Sequence, residues 1–107
     1  MYHGLNIPWS IQNENRTRTL LAKNTEIEHK FFAGLGQRVQ ALRKRCGYSQ
    51  EDMISFGYTV RYWQRIEAGK PITLRTLLRI CGILGTTAES LVRGLGPEAV
   101  KRPVKRP

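Results

Sequence analysis

Residues 49–69, SQEDMISFGYTVRYWQRIEAG, decide the fold. Ser49 suits a helix N-cap, and Asp52 gives that helix an acidic first turn. Met53, Ile54 and Phe56 are the inward residues expected of a brief helix, and Gly57 supplies the turn that ends it. Thr59 then caps a second helix expected over about 59–68, closed by Gly69 with Pro71 behind it. Within that second helix Arg61, Gln64, Arg65 and Ala68 fall at i, i+3, i+4 and i+7, which puts them on one face. Trp63 and Ile66 point the other way and are expected in the core.

Reading outward, Thr25-x-x-Glu28 has the form of a capping box and predicts a helix start near Thr25. Ile27, Phe31, Leu35, Val39 and Leu42 continue as a one-sided apolar stripe. Gly34 and Gly36 lie within it, each costing about 1 kcal/mol relative to Ala, so a kink is expected there. Arg43, Lys44 and Arg45 suit a helix C-terminus, and Gly47 ends the segment. Downstream, Thr73 opens a helix with the stripe Leu74, Leu77, Leu78, Cys81 and Leu84, closed by Gly85. Thr86-x-x-Glu89, a second capping box, opens a last short helix with Leu91 and Val92 inward. Nothing between residues 34 and 93 alternates as a strand. The fold class is all-α, a compact five-helix domain.

The chain of 107 residues is enough for one domain with one core. Its net charge is +10 and its pI about 10.3, a balance that points to a polyanionic partner. Residues 1–33 hold four Lys/Arg against three Asp/Glu, residues 34–93 ten against four, and residues 94–107 four against one. The charge therefore sits mainly in the helical domain and its tail. No apolar run approaches the ~18–20 residues of a membrane span, and no signal-peptide core is present, so a cytoplasmic location is expected and no membrane partner. Cys46 and Cys81 fall at apolar helix positions without a Cys-x-x-Cys or Cys/His cluster, so two reduced core thiols are expected, with no metal and no cofactor. His3 and His29 lie outside the domain, and no Ser/His/Asp set or Gly-rich phosphate loop can be assembled; catalysis is not expected.

Residues 1–24 read as an N-terminal arm in which Leu5, Ile7, Trp9 and Ile11 alternate and permit a short strand, either loose or clasping a second copy through Trp9. Residues 25–93 form the domain. Residues 94–107 form a basic tail in which Lys-Arg-Pro occurs twice around Val104; its prolines favour extended backbone able to track phosphates.

The segments LGQRVQALRKRCGYSQEDM, GYTVRYWQRIEAGK and TLLRICGILGTTAESL together resemble the Cro/phage-repressor (Xre-type) helix-turn-helix domains, over residues 35–92. The resemblance implies a lambda-repressor-like fold that enters the DNA major groove. It implies base contact for Val60, Arg61 and Arg65, with Gln64 beside them on the exposed face. It implies DNA-backbone contact for Gln50, Tyr62 and Lys70, and an internal salt bridge between Arg43 and Glu67. The chain departs from the family in a segment 50–59 that is one residue short, in Ile54 where the family has Ala, and in Ala68 where it has Asn. The short segment implies a compressed second helix or turn.

Physically, an arginine bonds both major-groove acceptors of guanine and a glutamine pairs with adenine, each worth about 1–3 kcal/mol of discrimination. Val60 suits a thymine methyl. The function expected is a sequence-specific DNA-binding transcriptional regulator acting on double-stranded DNA as a homodimer over a palindromic operator. The alternative is an antitoxin-type protein that binds a toxin partner and autoregulates through the same domain.

Overall fold

The structure, a computed structural model, describes the backbone of residues 9–96 and the side chains of residues 20–96. These residues form α1 (Trp9–Arg45), a 3-10 helix η1 (Glu51–Phe56), α2 (Val60–Glu67), α3 (Leu74–Leu84) and α4 (Ala88–Val92), with no strand among them.

Caps set these boundaries. Ser49 Oγ accepts from the amide of Asp52 at 3.1 Å, while the Asp52 carboxylate accepts from the amide of Ser49 at 2.7 Å. This reciprocal box gives the Ser49 amide its acceptor, and the Asp52 amide shares its hydrogen between the Ser49 hydroxyl and the Ser49 carbonyl at 3.2 Å. Thr59 accepts from the amide of Tyr62 and Thr73 from that of Thr76. The cap of α4 is Thr87, which accepts from the amide of Ser90, and not Thr86 as the capping-box spacing implied. The segment found one residue short is wound as a 3-10 helix. At ~2.0 Å per residue its six residues cover about the length of eight α-helical ones, so the tighter winding offsets the shortening.

Two expectations about α1 are corrected. It begins at Trp9, so Trp9 and Ile11 are helical and no helix starts at Thr25; Leu5 and Ile7 lie outside the described residues. Thr25 Oγ1 instead donates to the carbonyl of Leu21 at 2.9 Å, one turn back inside the helix. Nor does α1 break at its glycines. A Cβ on Gly36 would lie 2.6 Å from the carbonyl oxygen of Glu67 and 2.7 Å from that of Ile66, so α1 crosses the end of α2 backbone to backbone. Glycine is there for proximity rather than for a bend. A Cβ on Gly34 would meet Leu95 at 2.7 Å.

The core gathers Leu35 and Val39 from α1, Met53 from η1, Trp63 and Ile66 from α2, Leu77, Ile80, Cys81 and Leu84 from α3, and Leu91 from α4. Several expected core residues are outside it. Ile54, Phe56, Leu74 and Leu78 are exposed, as is Ile27 on the free part of α1. In α3 the buried face runs through Leu77, Ile80, Cys81 and Leu84, an i, i+3, i+4, i+7 set that leaves Leu74 and Leu78 on its flank. Cys46 also lies at the surface past the end of α1, its thiol 3.6 Å from the carbonyl of Leu84, whereas Cys81 is a buried free thiol whose ionisation burial pushes up. Among the described residues no helix is long and apolar enough to cross a membrane.

Candidate nucleic-acid interface

Helix α2 is held by its inner face. Trp63 is fully buried and Ile66 nearly so, and between their turns Glu67 sends its carboxylate inward. That carboxylate accepts four bonds. Arg43 reaches it through Nε at 2.6 Å and Nη2 at 3.2 Å, Trp63 Nε1 at 2.5 Å, and Gln50 Nε2 at 3.0 Å. Arg43 spends a further N–H on the carbonyl of Tyr48 at 2.7 Å. A bidentate guanidinium–carboxylate pair with side chains 7% and 4% exposed is sheltered from solvent screening. Burial alone would raise the Glu67 carboxyl. The bonds from Arg43, Gln50 and Trp63 and the charge of Arg43 outweigh it and hold the group below its ordinary value. The ion pair thus ties the last turn of α1 to the last turn of α2, with η1 attached through Gln50.

The network continues to the surface. Gln50 Oε1 accepts from Gln64 Nε2 at 3.2 Å, so one amide joins the buried carboxylate to an exposed glutamine. Gln64 keeps its carbonyl oxygen and one N–H free, the pair that adenine recognition needs. Arg61, Arg65 and Ala68 are exposed on the same side, and Val60 is half-buried at the start of the helix. Among the described residues neither arginine forms an ion pair, and neither does Lys70, exposed in the turn after the helix. Tyr62 lies on the flank, its ring stacked on Tyr58 with centroids 5.7 Å apart and planes 8° from parallel. Tyr58 in turn sits edge-on to Trp63 at 5.6 Å.

The sequence reading missed the reach of this network. It left out Trp63 Nε1, although Trp63 and Glu67 are i and i+4 on one helix, a spacing that brings side chains together. It placed Gln50 as a DNA contact without its bonds to Glu67 and Gln64. Between η1 and α2, Gly57 adopts φ +96°, a left-handed conformation that folds the chain back through bonds from its own amide and that of Tyr58 to Ile54 and Met53 carbonyls.

An η1–turn–α2 unit whose second helix presents cations and an amide outward has the build of a major-groove reader. The chain matches the family described as "Helix-turn-helix domain" over residues 34–96, more than half its length, and it belongs to that family. This agrees with the resemblance to Cro/phage-repressor (Xre-type) domains, and it marks a DNA-binding regulator. No curated protein and no solved structure matches the chain.

Proposed function

We propose that the chain is a sequence-specific DNA-binding transcriptional regulator that reads a palindromic operator as a homodimer. The observation that carries this reading is the free, outward face of α2 on a helix fixed from behind by the Arg43–Glu67 pair. In this reading Val60, Arg61, Gln64 and Arg65 meet base edges, while Gln50, Tyr62 and Lys70 meet the DNA backbone. Gln50 acts twice, orienting Gln64 and lying near the phosphates. Residues 25–93 are the DNA-binding domain, residues 1–24 an arm that is continuous with it through α1 from Trp9 onward, and residues 94–107 a tail adding phosphate contacts. The protein works in the cytoplasm and performs no catalysis.

Selection of binding sites from a random duplex library tests the proposal. The intact chain should enrich inverted half-sites about one helical turn, ~34 Å, apart. Arg61→Ala or Arg65→Ala should relax preference at one position of each half-site. Unchanged preference in both variants would remove the base-reading assignment.

The antitoxin-type reading draws on one observation, an apolar groove lined by Phe31, Phe32, Ile72, Leu74, Leu77 and Val92 that α2 does not use. Its test is whether the tagged chain retains a second polypeptide at fixed stoichiometry.

A further inference from the structure

Ile54, expected inward, is 58% exposed, while its neighbour Met53 is fully buried in the core. Ile54 and Val60 lie on either side of the Gly57 turn, and with Gly57, Tyr58 and Thr59 they line one open hollow of about 390 Å³. None of the five carries a charge, and two hydroxyls are their only polar side-chain groups. That of Tyr58 is buried, which leaves its ring to border the hollow. That of Thr59 accepts from the Tyr62 amide at 3.0 Å as the cap of α2. The hollow therefore presents mainly hydrocarbon. It opens at the N-terminal end of α2, where Val60 is the first helical residue. The next residue, Arg61, is exposed and, among the described residues, in no ion pair.

In a helix-turn-helix unit the N-terminal residues of the second helix are the ones that meet base edges. In the major groove those edges offer donors, acceptors and one apolar group, the C5 methyl of thymine. A hydrocarbon hollow cannot answer a donor or an acceptor, and covering one there strips its water without a replacement bond. The methyl is the group that fits. We propose that Ile54 is a specificity-determining residue: with Val60 it walls a hollow that receives the C5 methyl of a thymine in the bound site. Val60 supplies one wall from α2, and Ile54 supplies a second from η1. This inference rests on α2 as the base-reading helix and adds a reader from outside it.

Competition binding of the full chain to its selected operator tests it, with each thymine replaced singly by 2′-deoxyuridine, which removes only the C5 methyl. Burying one such group is worth roughly fourfold in affinity, so one replacement should cost the wild type about that factor. Ile54→Ala, with unchanged far-UV circular dichroism, should distinguish the same two duplexes by less than about twofold, while Ile54→Val keeps most of the difference. With cytosine at that position, 5-methylcytosine should regain affinity for the wild type and not for Ile54→Ala. A deoxyuridine penalty of equal size in wild type and Ile54→Ala would overturn the proposal, as would a loss in Ile54→Ala that is the same on thymine, deoxyuridine and random duplexes. An operator with no methyl-sensitive thymine would overturn it too, and would leave base reading intact provided Arg61→Ala still relaxes preference. If neither deoxyuridine nor Arg61→Ala has an effect, both readings fall.

Discussion

Replacing Arg43 with Met removes the guanidinium while keeping most of the side chain's bulk. It leaves the Glu67 carboxylate, 4% exposed, with bonds from Gln50 and Trp63 and no countercharge. Breaking a buried pair in this way costs about 3–5 kcal/mol, a large share of the ~5–15 kcal/mol that holds a domain of this size together. The size of the loss depends on pH, with a sign that can be worked out. In the native protein the folded-state carboxyl lies below its ordinary value of 4.5, so its stabilising contribution is complete above that value and fades as pH falls through the lower folded value. Without Arg43, burial pushes the carboxyl upward instead, and the buried group escapes its penalty by taking a proton. The variant then recovers stability as pH falls through the raised folded value. The gap between wild type and Arg43→Met should be widest at neutral pH and narrow steadily toward pH 4.5. Urea denaturation followed by far-UV circular dichroism at pH 7 and pH 4.5 measures both ends. A gap below about 1 kcal/mol at pH 7, or one of equal size at both values, would refute the reasoning.

Other variants probe the packing and the interface. Gly36→Ala should destabilise by about 1–3 kcal/mol in a thermal melt, because its Cβ would press on the Ile66 and Glu67 carbonyls. Gly82→Ala, inside α3 with open space around its Cβ position, should stabilise by roughly 0.5–1 kcal/mol in the same assay. Gln50→Ala should weaken preference at the base read by Gln64 more than Lys70→Ala does, since it removes the bond that orients Gln64; equal effects in competition binding would argue against that role. Removing residues 97–107, with four Lys/Arg, should reduce the slope of log affinity against log salt by at most about 3.6. An unchanged slope would make the tail irrelevant to binding.

Much of the fold was legible because its signals are local. Thr59 and Thr73 cap helices through their own side chains, Gly57 and Gly85 take left-handed conformations, and Trp63 and Ile66 share the buried side of an eight-residue helix. What sequence reading missed depends on tertiary placement. Gly36 looks like a helix breaker until the end of α2 is laid across it. Thr25 carries a capping pattern, but in a continuing helix the same hydroxyl bonds one turn back. Leu74 and Leu78 satisfy a helical stripe, and only the direction from which α3 meets the core excludes them in favour of Ile80. At the site, the outward residues of α2 follow from period alone, whereas the Glu67–Gln50–Gln64 relay joins residues 14 and 17 apart across a turn and needed the fold to be seen.

The most direct test of α2 as the groove-entering helix is guanine N7 methylation on a selected operator, with and without the bound chain. N7 lies in the major groove, where Arg61 and Arg65 are expected to bond it. The expected result is protection of guanines in each half-site, lost at one position on Arg61→Ala or Arg65→Ala. Protection that survives both substitutions, or methylation blocked only at adenine N3 in the minor groove, would contradict it.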